Sequence, residues 1–109
     1  MPTTYKVLGQ SNPSATTLTT LYTVPAATQA VVSSIVVANL TSTAATFRIA
    51  VRPAGASITN SQYVGYDITV GASDSTDLTL GITMGATDVL SVYGSTANIT
   101  FQAYGSEIS

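Results

Sequence analysis

Five carboxylates (Asp67, Asp74, Asp77, Asp88 and Glu107), one lysine (Lys6) and six tyrosines are the side chains available for acid–base chemistry, because the chain contains no His and no Cys. Catalysis on these terms would rest on a pair of carboxylates with separated pKa values. Asp74 and Asp77 are the closest pair in sequence, but they belong to Gly71-Ala72-Ser73-Asp74-Ser75-Thr76-Asp77. In such a stretch, Asp side chains bond the local backbone and shape a turn. A Ser–Lys dyad would have to use Lys6, which lies in a polar terminal segment without a strained nucleophile elbow. The lack of Cys removes thiol nucleophiles, zinc ribbons and disulfide frameworks together. Calcium needs about six to eight oxygens gathered near a glycine turn, and Asp67, Asp74, Asp77 and Asp88 are too dispersed for that. The expectation is a non-enzymatic protein with no catalytic residue, no metal site and no cofactor.

Two other residue sets could contact a partner. Tyr5, Tyr22, Tyr63, Tyr66, Tyr93 and Tyr104 would stack on sugar rings if displayed together. The simpler reading is that strands favour Tyr and that a half-buried ring keeps its hydroxyl in water. Tyr63 and Tyr66 flank Val64-Gly65 with opposite parity, so a regular strand would send them to opposite faces. Arg48 and Arg52 share a parity, which places them on one sheet face roughly 13 Å apart. There they would either anchor an acidic partner or keep an exposed face wet. Arg48, Arg52, Tyr63 and Tyr66 are therefore the candidate partner-contact residues. Asn39-Leu40-Thr41 and Asn98-Ile99-Thr100 match the glycosylation sequon by chance in a Thr-rich chain.

The composition narrows the class of partner. Charged residues make up 7% of the chain and the net charge is −2, against about 25% charged in a typical domain. Three cations scattered from Lys6 to Arg52 do not form the basic patch that nucleic acid requires. The apolar runs are far shorter than the ~20 residues of a membrane-spanning helix. The first residues carry no basic region followed by an apolar core, so no secretory signal is expected. Synthesis in a cytoplasm, with any exterior location reached by assembly, follows from that expectation. Mean hydropathy of +0.36 and plentiful Val, Ile, Thr and Tyr argue against disorder.

The elements that must position these residues are strands. Period-two alternation, bounded by Gly, Pro, Asn, Asp and Ser, marks runs at 4–10, 17–24, 29–40, 45–52, 62–70, 76–82, 88–93 and 99–104. In the fourth run, Phe47, Ile49 and Val51 alternate with Arg48, Ala50 and Arg52, the pattern of a half-buried strand. The third is the longest and most apolar. Its pairs Val31-Val32 and Val36-Val37 disfavour a helix and place it at the centre of a sheet. About eight strands in 109 residues predict one all-β domain, an antiparallel β-sandwich of jelly-roll or Greek-key type. Residues 17–109 form that sandwich, and residues 1–16 are expected as an extended arm or an edge strand. Because few charges are available to guard edge strands, the edges are expected to be covered by other protein.

The run Thr20-Leu21-Tyr22-Thr23-Val24-Pro25-Ala26, followed by the Val-rich segment from Gln29 to Asn39, resembles small structural proteins of tailed-bacteriophage virions, cyanophages among them. The segments Phe47-Arg48-Ile49-Ala50-Val51-Arg52-Pro53, Thr87-Asp88-Val89-Leu90-Ser91-Val92-Tyr93 and Tyr104-Gly105-Ser106-Glu107-Ile108 are similar to the same group. The resemblance implies a non-enzymatic virion protein that assembles in many copies, as a trimer or larger homo-oligomer. Its second partner would be another virion protein, the major capsid protein or a tail protein. A capsid decoration or cement role is favoured for one compact domain. The alternative is a tail-fibre or baseplate component that binds a receptor or glycan. Neither nucleic acid nor membrane is an expected partner.

Overall fold

The computed structural model describes residues 3–109, apart from the side chain of Leu80. Eight strands follow one another: β1 (Thr3–Ser11), β2 (Thr19–Thr23), β3 (Gln29–Asn39), β4 (Ala45–Arg52), β5 (Tyr63–Val70), β6 (Ser75–Met84), β7 (Val89–Gly94) and β8 (Ile99–Ile108). Two single 3₁₀ turns, Pro53–Gly55 and Asn60–Gln62, lie between β4 and β5. The first sheet has the order β1-β8-β3-β6 and the second β2-β7-β4-β5, with every pairing antiparallel. The two halves of the chain thus pair end to end, β1 with β8, β2 with β7, β3 with β6 and β4 with β5, and successive pairs alternate between sheets. That winding is the jelly roll, one of the two expected topologies.

Between the sheets lies a single core. Inward positions of the first sheet supply Val32, Ile35, Val37, Ile99, Phe101 and Ala103, and the second supplies Phe47, Ile49, Val70, Leu90 and Val92, all fully buried. Phe47 and Phe101 meet edge to face across the gap, with ring centroids 6.1 Å apart. The long third run is a central strand, flanked by β8 and β6. Segment 1–16 supplies β1, paired with β8 from Thr3 to Ser11, so this part of it is an edge strand of the sandwich; Met1 and Pro2 lie outside the described residues.

The strands are less regular than their alternation. Register slips occur on β1 between Val7 and Gly9 and on β3 between Val32 and Ser34. Opposite the β3 slip, β6 passes through Gly81 at φ +63°. These irregularities fall at one height across the first sheet and bend it there. Gly105 of β8 sits on this line, where an added Cβ would overlap the Val31 carbonyl oxygen. Slips also mark β2, between Thr20 and Tyr22, and the β4–β5 pairing. Each edge strand therefore carries a bulge, and β2 has only 5 residues, so the edges are guarded by geometry where charge is scarce.

Candidate functional site

The outer face of the second sheet gathers an aromatic and ionic cluster around Arg48. In β4, Arg48 alternates with the core residues Phe47 and Ile49, so it points outward. On one side its ladder partner is Tyr93 of β7. On the other, Phe47 pairs with Ile68 and Ile49 with Gly65, leaving Tyr66 and Asp67 together opposite Arg48. Two residues facing one is the geometry of a β-bulge, and Asp67 takes φ +52° to complete it. Both β5 residues can therefore engage the same guanidinium.

Arg48 Nε donates to Asp67 Oδ1 at 2.6 Å and Nη2 donates to Oδ2 at 3.4 Å. The planar guanidinium also lies over the Tyr66 ring, 4.1 Å from its centroid, and the Tyr93 ring, 4.3 Å away. Such stacking suits Arg, whose delocalised cation attracts the negative face of a ring. The hydrogen bond to Asp67 pushes the guanidinium pKa further up. Tyr66 in turn meets Tyr63 at 4.9 Å between centroids with the rings nearly perpendicular, at 84°.

The parity argument for Tyr63 and Tyr66 fails here, because β5 is not regular. Ile49 pairs with Gly65 while the next β4 residue, Ala50, pairs with Tyr63. Val64 is an extra residue, and it returns Tyr63 to the face that Tyr66 occupies. The corner between the two rings opens into a depression of about 490 Å³, which Asn60 also lines.

Arg52, the other candidate cation, is used differently. Its Nε donates to the Ala56 carbonyl at 2.8 Å, its Nη2 to the Gly55 carbonyl at 3.0 Å and its Nη1 to Ser91 Oγ at 3.4 Å. Asp88 holds the same connection from the other side, accepting from the Ala54 N–H through Oδ1 and from the Gly85 N–H through Oδ2, both at 2.9 Å. Segment 53–62 packs back on β4 and β7, where the outward residues Ala50 and Ser91 are fully buried. A reciprocal cap between Thr59 and Gln62 closes the turn at Asn60–Gln62, which delivers Asn60 to the tyrosine corner. Arg48 and Arg52 thus share a face as expected, and both guanidiniums are bonded within the chain.

Other expected residues separate. Asp74 accepts from the Ser75 N–H at 2.8 Å and closes the Gly71–Asp74 turn, whereas Asp77 lies on the outer side of β6, exposed. Among the described residues no three His, Cys, Asp or Glu side chains gather as metal ligands would. Tyr22 is a core residue, and its hydroxyl donates to Glu107 Oε2, whose Oε1 is 3.2 Å from Lys6 Nζ. Burial and that hydrogen bond raise the Tyr22 pKa, and the same hydrogen bond, aided by Lys6, lowers that of Glu107.

Three members of the cluster were not singled out as contact residues from sequence: Asp67, Tyr93 and Asn60. Tyr93 is recoverable, since it shares the outward parity of its strand. Asp67 and Asn60 depend on a bulge and on a folded-back connection, which no alternation pattern encodes. No protein-family model, curated protein or solved structure matches the chain.

Proposed function

We propose that this protein is a non-enzymatic structural component of a bacteriophage virion, a capsid decoration or cement protein that works by multi-copy assembly. The observation that supports this most is the outer face of the first sheet. The pairing registers bring Tyr5, Val7, Val31, Val36, Tyr104 and Ser106 to that face. Tyr5 and Val7 are 84% and 48% exposed. Among the described side chains of the face the sole charge is Asp77, on the edge strand β6. Lys6 and Glu107 have the inward parity instead and pair with each other.

A face so composed loses little on being covered. Hydroxyl and amide groups can exchange water for a partner's polar atoms, whereas a buried charge would carry a large desolvation cost. The copies would dock through this face on one another and on the capsid or tail protein beneath them. The resemblance of the segments from Thr20 onward supports the same reading.

Sedimentation across a concentration series is the direct test. A trimer or larger species is expected, and Val7→Lys, which puts a charge beside Tyr5 and Tyr104 on this face, is expected to return it to monomer. A monodisperse monomer at high concentration would count against assembly. Labelled protein located on intact particles by electron microscopy then separates head from tail.

A further inference from the structure

We propose that the Tyr63–Tyr66 corner is a binding site for a neutral pyranose ring, with Asn60 as its polar partner. The site lies on the sheet opposite the assembly face, and the proposal does not depend on the virion reading. Its occupant is chosen by four features of the corner.

The first is shape. Two perpendicular phenol rings, 4.9 Å apart at their centroids, form two walls of a depression of about 490 Å³, within the range of roughly 300–1,000 Å³ usual for small-ligand sites. The second is exposed aromatic surface. Tyr66 is 56% exposed, and an aromatic face carries the negative side of its quadrupole. The axial C–H bonds that collect on one side of a gluco- or galacto-configured pyranose present the matching positive surface.

The third is rigidity. Tyr66 cannot swing freely, because Arg48 lies over its ring and is itself held by Asp67 and by Tyr93. A wall fixed beforehand spares the ligand the entropy of ordering it. The fourth is charge. Arg48 and Asp67 compensate each other at 2.6 Å, so neither a phosphate nor a carboxylate finds a free counter-charge here. What remains is the Asn60 amide and the two phenol hydroxyls, which donate and accept as sugar hydroxyls do. A stacked nucleobase would fit the rings, but its phosphates would lack the basic track that single-stranded nucleic acid requires.

The test is a ¹H–¹⁵N correlation titration of the intact chain with cellotetraose, maltotetraose and β-1,4-galactotetraose as neutral probes. Tetragalacturonate and a short oligothymidylate serve as anionic ones. Saturable shifts confined to residues 60–67 and Tyr93 are expected from at least one neutral probe. Tyr66→Ala and Tyr63→Ala should each weaken that binding about tenfold or more, as loss of a stacking ring does. Tyr66→Phe should keep most of it, and Tyr5→Ala, on the opposite sheet, should leave it unchanged. Thermal melts of each variant separate lost binding from lost fold, and Tyr66→Phe keeps the site intact if an alanine variant is destabilised. No saturable shift from any neutral probe would overturn the proposal. So would tetragalacturonate or the oligothymidylate binding as tightly as the best neutral probe, or full affinity in both alanine variants.

Discussion

The outer faces of the two sheets handle charge in opposite ways, although both belong to four-stranded antiparallel sheets of one short chain. The first sheet removes it: Lys6 and Glu107 turn inward at the open end of the sandwich, leaving Asp77 at an edge. The second keeps charge and cancels it in place, with Asp67 on Arg48 and backbone carbonyls on Arg52. A face whose one charge among the described side chains sits on an edge strand can be buried against protein with little desolvation cost. A cancelled and stacked one is rigid and remains open to water. The difference separates a surface suited to being covered from a surface suited to holding something small.

The largest expected effects come from backbone packing, and they should differ between the sheets. At Gly105 in the first sheet, an added Cβ would overlap the Val31 carbonyl oxygen and sit 3.1 Å from the Ser33 nitrogen. Neither backbone atom can yield without breaking the β3–β8 ladder, so Gly105→Ala is expected to cost about 3 kcal/mol or more. At Gly65 in the second sheet, the nearest atom to an added Cβ is Ile68 Cδ1 at 2.7 Å, the tip of a side chain that can rotate. Gly65→Ala should cost about 1 kcal/mol. Denaturant titration of the two variants decides this, and equal losses would show that the bend in the first sheet is not specially constrained.

Next in size is Asn39→Ala, at the end of β3, where the two sheets are tied together. Asn39 is almost fully buried. Its Nδ2 donates to the Thr43 carbonyl at 2.8 Å and the Gly71 carbonyl at 3.2 Å, and its Oδ1 accepts from the Thr41 N–H at 3.0 Å. Removing the amide leaves the Thr41 N–H without its acceptor and takes one donor from each carbonyl, which keep Thr41 Oγ1 and the Asp74 N–H respectively, at about 2 kcal/mol by the same titration. The sequon reading could not reveal this role, and a glycan on that nitrogen would be incompatible with the fold.

Asn39 marks where the sequence stops being legible. The eight strands, their turns and the central place of the Val-rich run follow from alternation and β-branching, because those signals are local. Strand order is not local: β1 and β8 pair across almost the whole chain. Bulges arise only in pairing, so the slip at Val64 that unites Tyr63 with Tyr66 has no signature in single-strand parity. The same holds for Arg48, whose parity gives its face while Asp67 and Tyr66 reach it through the bulge.

A smaller effect, about 1 kcal/mol, is expected for Tyr22→Phe, which deletes the hydroxyl that donates to Glu107. Its pH dependence has two limbs. The Glu107 pKa is lowered in the fold, so its contribution is present above the ordinary carboxylate value of about 4.3 and is lost as pH falls through the lowered value. The Tyr22 pKa is raised, so its contribution is present below about pH 10 and is lost as pH rises beyond that. Stability measured against pH should lose part of its acid limb in Glu107→Gln and part of its alkaline limb in Tyr22→Phe. An unchanged profile in both would remove the Tyr22–Glu107 pair from the charge handling of the first sheet.

The smallest expected change in stability, and the sharpest local one, is Arg48→Lys. The ammonium keeps the charge and can still approach Asp67, but it has no flat surface to lie between Tyr66 and Tyr93 and no second nitrogen for the far carboxylate oxygen. Melting should shift little, since an exposed ion pair contributes little in water. The Tyr66 and Tyr93 ring resonances should move and, for Tyr66, average between orientations, while Tyr5 and Tyr104 on the first sheet stay in place. If the rings of the second sheet are as well ordered in this variant as beside the native Arg48, their rigidity comes from the bulge alone. The guanidinium would then neutralise Asp67 without positioning the aromatic wall.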